Sequence, residues 1–133
     1  MRAASWRMMF TTLLAASVGA CRNSNPAAPV NHNPIISSVV LFPTVIGSTD
    51  SAIAICSASD PDGDSLVYDW VSDGRLRLKD APRGAYIYSS PRNSEVFYRA
   101  GILAPNDTAL IWCYTRDLRG GQDGRLIALR LHP

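Results

Sequence analysis

The chain is poor in the residues on which catalysis usually draws. It has two histidines, His32 and His132, and one glutamate, Glu95. The first histidine falls in a Pro- and Asn-rich stretch and the second is penultimate, so neither sits where a rigid site is built. There is no Gly-x-Ser-x-Gly elbow, no phosphate-cradling glycine loop and no His/Cys zinc spacing. Asp60, Asp62 and Asp64 crowd one turn and do not flank a cleft as a glycosidase pair must. No enzymatic activity is expected. An excess of one charge is also missing. Thirteen basic residues face eleven acidic ones, and a nucleic-acid binder normally shows a basic surplus. Long apolar runs are absent too. Residues 8–18 are mostly apolar, but a membrane-spanning helix needs about twenty such residues.

What the N-terminus does have is an export pattern. Residues 1–7 carry Arg2 and Arg7 and no acid, residues 8–18 are mostly apolar, and the run ends Val18-Gly19-Ala20-Cys21. This ending resembles the lipobox of bacterial lipoproteins, with Val18 in place of the commoner Leu. The resemblance implies a signal peptide over residues 1–20, cleavage before Cys21, and a lipid anchor on that thiol, where palmitate-like chains hold the protein to the bilayer. Two or more acyl chains anchor stably where one does not. A location in the bacterial cell envelope follows. Arg22, standing where an Asp would retain the protein at the inner membrane, favours the outer one. Cleavage would remove Arg2 and Arg7, leaving eleven basic against eleven acidic side chains.

Residues 21–34 hold Pro26, Pro29, Pro34 and four asparagines, with no aromatic. Such a segment buries too little apolar surface to order itself and reads as a tether. It would span roughly 20 Å on average. Residues 35–133 form the expected folded domain. Ten of the eleven acids are Asp, which favours turns, and only Glu95 is a helix-favouring acid. Short alternating runs at 35–45, 51–58, 66–71, 76–78, 85–89, 95–99, 108–115 and 124–131 predict an all-β sandwich of seven or eight antiparallel strands. Leu66, Tyr68 and Trp70 share one parity and are expected to point inward.

Residues 57–70, Ser-Ala-Ser-Asp-Pro-Asp-Gly-Asp-Ser-Leu-Val-Tyr-Asp-Trp, resemble the central motif of PKD and related bacterial immunoglobulin-like domains. Asn33-Pro34 before the first strand fits the same pattern, as do Asp117 and Gly120-Gly121 near the end. The likeness runs over residues 33–131 and implies an immunoglobulin-like fold. It also implies that Cys56 and Cys113 occupy inward positions on facing strands, where a disulfide is expected. Ile111 stands at the tyrosine-corner position, which argues against an antibody-type domain.

Three candidate sites follow. Some domains of this kind bind calcium at the acidic turn, and the matching positions are Asn33, Asp60, Asp62, Asp64 and Asp69. Calcium takes six to eight oxygens, and a tight acidic turn supplies several. The other reading is that Pro61 and Gly63 shape the turn while the Asp side chains cap backbone groups. An EF-hand is excluded, because Val71 stands where its bidentate Glu must be. The second candidate is an outward row, Leu110, Trp112 and Tyr114, with Val67 and Val71 beside it, suited to a glycan or protein partner. The third is the charged run Arg75, Arg77 and Lys79. It suits anionic lipid headgroups or polysaccharide, but more commonly guards a sheet edge. The expected function is a non-catalytic binding or structural module, or an accessory subunit docked on a larger envelope complex through the aromatic face.

Overall fold

A computed structural model describes residues 27–100 and 107–132. The expected signal and anchor, including Cys21, lie outside the described residues. Those described contain nine strands and no helix: β1 (Ile35–Phe42), β2 (Val45–Ile46), β3 (Ser51–Ser59), β4 (Val67–Ser72), β5 (Leu76–Leu78), β6 (Ile87–Ser90), β7 (Ser94–Arg99), β8 (Thr108–Arg116) and β9 (Gln122–Leu131). They form two sheets, one ordered β1-β3-β7-β5 and the other β2-β9-β8-β4-β6. The two sheets face each other as an immunoglobulin-like sandwich.

One pairing departs from the all-antiparallel expectation. The first run is split at Pro43, and β2 crosses to the second sheet, where it pairs parallel with β9. Proline has no N–H to give to a ladder, so the strand cannot simply continue through it. The freed chain is caught by Thr44 and Ile46, whose carbonyls accept the Arg130 and His132 N–H groups at 3.0 and 2.8 Å. The middle of the chain also switches sheets. After β4 it reaches the far edge as β5, returns to pair with β4 as β6, and crosses again as β7.

Alternation explains what each strand buries. β3 sends Ala52, Ala54 and Cys56 inward, all small. The bulk of the core therefore comes from elsewhere: Phe97 on β7, Trp70 on β4, Ile111 on β8, and Leu129 and Leu131 on β9. Trp70 and Phe97 meet edge to face, with ring centroids 6.0 Å apart and planes at 72°. Edge-to-face contact sets the positive rim of one ring against the negative face of the other. Tyr68 and Trp70 are buried, and Leu66 packs against the same core.

Candidate functional site

The acidic turn is held by its own backbone. Asp60 Oδ1 accepts the N–H groups of Asp62 and Asp64 at 2.8 and 3.3 Å, and Gly63 turns at φ 78°. This arrangement aims Asp60 and Asp64 across the end of the sandwich toward the loop after β8. There Asp117, almost fully buried, accepts the N–H groups of Arg119 and Gly121 on Oδ1 at 2.8 and 2.9 Å. The loop can wrap so tightly because Gly121 has no side chain. A Cβ at that position would lie 2.3 Å from Asp117 Oδ2 and 3.1 Å from the Asn33 Cα.

One carboxylate oxygen from each of Asp60, Asp64 and Asp117 falls within 4.8 Å of the others. That spacing suits ligands of a single hard cation. Asn31 completes the cluster, donating from Nδ2 to Asp117 Oδ2 at 2.6 Å. Two oxygens there, Asn31 Oδ1 and Asp60 Oδ2, are buried without a hydrogen-bond partner. Both are acceptors that lack a donor, which is the deficit a cation fills. Arg119 offsets part of the charge through Asp64 Oδ2 at 2.9 Å, leaving three carboxylates against one guanidinium. Burial raises the Asp117 carboxyl, but hydrogen bonds from Asn31, Arg119, Gly121 and Gly120 outweigh it and hold the group below its ordinary value.

The expected ligand set is therefore redrawn. Asp60 and Asp64 come together with Asp117, whereas Asp62 and Asp69 are not part of this carboxylate cluster. Asn33 is exposed, and half-buried Asn31, two residues earlier, is the one that bonds Asp117. Asp62 accepts the His32 N–H at 2.7 Å and contacts His32 Nδ1 at 2.9 Å, and these bonds lower its pKa. The domain's contacts thus reach back to Asn31, into the segment expected to be a tether. Asp69 lies on the outer face of the second sheet. Arg116 donates to it from Nε and Nη2 at 2.5 and 2.9 Å, and Ser89 from Oγ at 2.5 Å.

Cys56 and Cys113 are both fully buried on facing sheets, within hydrogen-bonding reach of each other. They are free thiols in this structure, so the expected covalent bond is not formed. The Cys56 Sγ also lies 3.9 Å from Thr115 Oγ1. The hydrogen bond with Cys56, together with burial, pushes the Cys113 thiol up.

Each sheet has an apolar outer face. On the five-stranded sheet, Leu126, Trp112, Val71 and Ile87 are direct cross-strand neighbours in one row over four strands. Leu126 and Ile87, at the ends, are 54% and 60% exposed. Leu110 and Tyr114 flank the row on β8, so the outward parity expected for Leu110, Trp112 and Tyr114 holds. The Tyr114 ring lies over Gly124, where a Cβ would come within 2.7 Å of it. On the four-stranded sheet, Val40 pairs with Ile55 and Phe42 with Ile53, all four exposed. The sequence reading missed this second face. In β3 both phases are apolar, and the larger residues point outward.

Of the charged run, Arg75 is engaged: its Nη1 lies 2.7 Å from Asp73 Oδ2 and its Nε 3.0 Å from Asp107 Oδ2. Arg77 and Lys79 make no ion pair with a described residue.

No family model matches the chain, and no curated protein matches it. Among solved structures it is similar to one described as "Crystal structure of DIP-gamma IG1+IG2", at 14% identity and a TM-score of 0.48. The likeness covers 77% of this chain and 50% of that one, so this chain spans about half its length.

Proposed function

We propose that this chain is a lipid-anchored, non-catalytic binding module of the bacterial cell envelope that docks on a larger envelope protein through the outer face of its five-stranded sheet. The row Leu126, Trp112, Val71 and Ile87 carries the reading. Three of its four members are aliphatic and offer nothing for a sugar hydroxyl to bond. An apolar centre with an aromatic anchor is the make-up of a protein–protein patch. The Asp69–Arg116 ion pair beside it supplies a polar rim. The N-terminal pattern ending in Cys21 supports the anchor. Native electrophoresis of detergent-solubilised membranes tests the proposal. Wild type should migrate within a larger assembly and a Trp112→Ala/Leu126→Ser variant as the free chain. Identical migration of the two would contradict it.

A specific observation favours a calcium site as well. The orphaned oxygens of Asn31 and Asp60 sit beside the clustered Asp60, Asp64 and Asp117 carboxylates. We assign calcium to this cluster as a structural ion that clamps the pre-strand segment and the acidic turn to the loop after β8. Titration of the metal-free chain with calcium chloride, followed by calorimetry, tests it. Binding lost in Asp117→Asn is the expected result, and no heat from wild type would dismiss the site.

A further inference from the structure

The outer face of the four-stranded sheet combines two features that the aromatic face does not. Phe42, Ile53 and Val96 are cross-strand neighbours on β1, β3 and β7, and Phe42 is 74% exposed. The row continues to Lys79, whose N–H donates to the Val96 carbonyl at 2.9 Å. One step along, Tyr98 pairs with Arg77 on the edge strand β5. Arg77, Lys79 and Arg83 line a concavity of about 410 Å³, and no Asp or Glu lines it. None of the three makes an ion pair with a described residue. Across the four strands of this sheet the sole acid is Glu95, which is buried.

The segregation is marked because cations and acids nearly balance in the whole chain, at thirteen against eleven. A face with exposed aliphatic and aromatic groups at one side, unpaired cations at the other and no exposed acid on its strands is complementary to an anionic lipid surface. Apolar side chains enter the headgroup boundary while the cations meet the phosphates. A water-soluble polyanion would meet the cations but leave Phe42 and Ile53 in water.

We infer that this face lies against the bilayer, with Phe42 and Ile53 in the interface and Arg77, Lys79 and Arg83 on anionic lipid phosphates. The opposite sheet, with Trp112, would then face away from the membrane and stay open to a partner. The inference does not depend on that partner, and either can fail alone.

Photo-crosslinking tests it. The full chain carries p-benzoylphenylalanine at position 42 or position 112 and is mixed with vesicles of phosphatidylcholine alone or with an equal part of phosphatidylglycerol. Mass spectrometry reads the lipid adducts. Position 42 should give lipid adducts, several-fold more with phosphatidylglycerol, and position 112 should give few. Replacing Arg77, Lys79 and Arg83 by Gln should weaken the contact by about fivefold per charge, with circular dichroism confirming the fold. Equal adduct yields from the two positions, or yields at position 42 that ignore phosphatidylglycerol, would overturn the inference. Capture of an added acidic polysaccharide in place of lipid would do the same.

Discussion

Oxidation of the Cys56–Cys113 pair should stabilise the domain by several kcal/mol. The two thiols are fully buried on facing sheets, so a bond between them would tie β3 to β8 across the core. Each sulfur loses its proton, and the two electrons pass to a disulfide donor such as oxidised glutathione. The bond closes a loop from residue 56 to residue 113, which the chain-entropy relation values at about 4 kcal/mol. For a domain of this size each kcal/mol moves the melting temperature by about 4–8 °C, so a shift of roughly 15–30 °C is expected. The assay is thermal melting of oxidised and reduced protein, followed by circular dichroism, with a thiol count after unfolding. A Cys56→Ala/Cys113→Ala variant should melt at one temperature in both conditions. Protein purified without reductant that unfolds to two free thiols would refute this. So would oxidised and reduced wild type that melt within a degree or two of each other.

Three further outcomes are expected. Trp70→Ala should cost about 3–5 kcal/mol in urea denaturation, because it empties a fully buried site and removes the partner of Phe97. Calcium at a free concentration of about 100 times its Kd should stabilise wild type by about 2.7 kcal/mol, and leave Asp117→Asn unchanged in the same melts. Acid should also unfold the domain in a defined window. Asp62, Asp69, Asp107 and Asp117 all titrate below the ordinary value of 3.8, each held there by hydrogen bonds to its charged form. Groups with depressed folded pKa values contribute stability above their unfolded value and lose it as pH falls through the folded one. The urea midpoint should therefore hold down to about pH 4 and fall below it. A midpoint flat to pH 2 would contradict these assignments.

Much of the sandwich is legible in local pattern. Alternation and turn residues place the strands, and parity turns Tyr68, Trp70, Ile111 and Cys113 inward, as observed. What stays hidden is contact between distant segments. Asp117 joins the acidic turn because the sandwich closes the loop after β8 over it, although it lies more than fifty residues away in sequence. Its one trace in the sequence is the Asp preceding Gly120-Gly121, marked as a family feature and not as a ligand. Asp69 looked like a ligand until register set it on the same face as Arg116, which claims both its oxygens. Asn31 takes the place expected for Asn33 because it lies before the first strand, where a contact with distant Asp117 sets its position and local spacing does not. The Phe42–Ile53 face escaped for a related reason. Alternation ranks phases by hydrophobicity, and β3 carries alanines inward and isoleucines outward, so its two phases look alike.

The proposed contact through the five-stranded sheet is tested most directly by photo-crosslinking in living cells from positions 126 and 87, the two ends of the Trp112 row. Both positions should give one adduct with the same envelope protein, and Trp112→Ala should abolish it while the chain stays at its normal level. The contact is contradicted if neither position gives a protein adduct. It is contradicted equally if Ser37, exposed on the other sheet, gives the same adduct as they do.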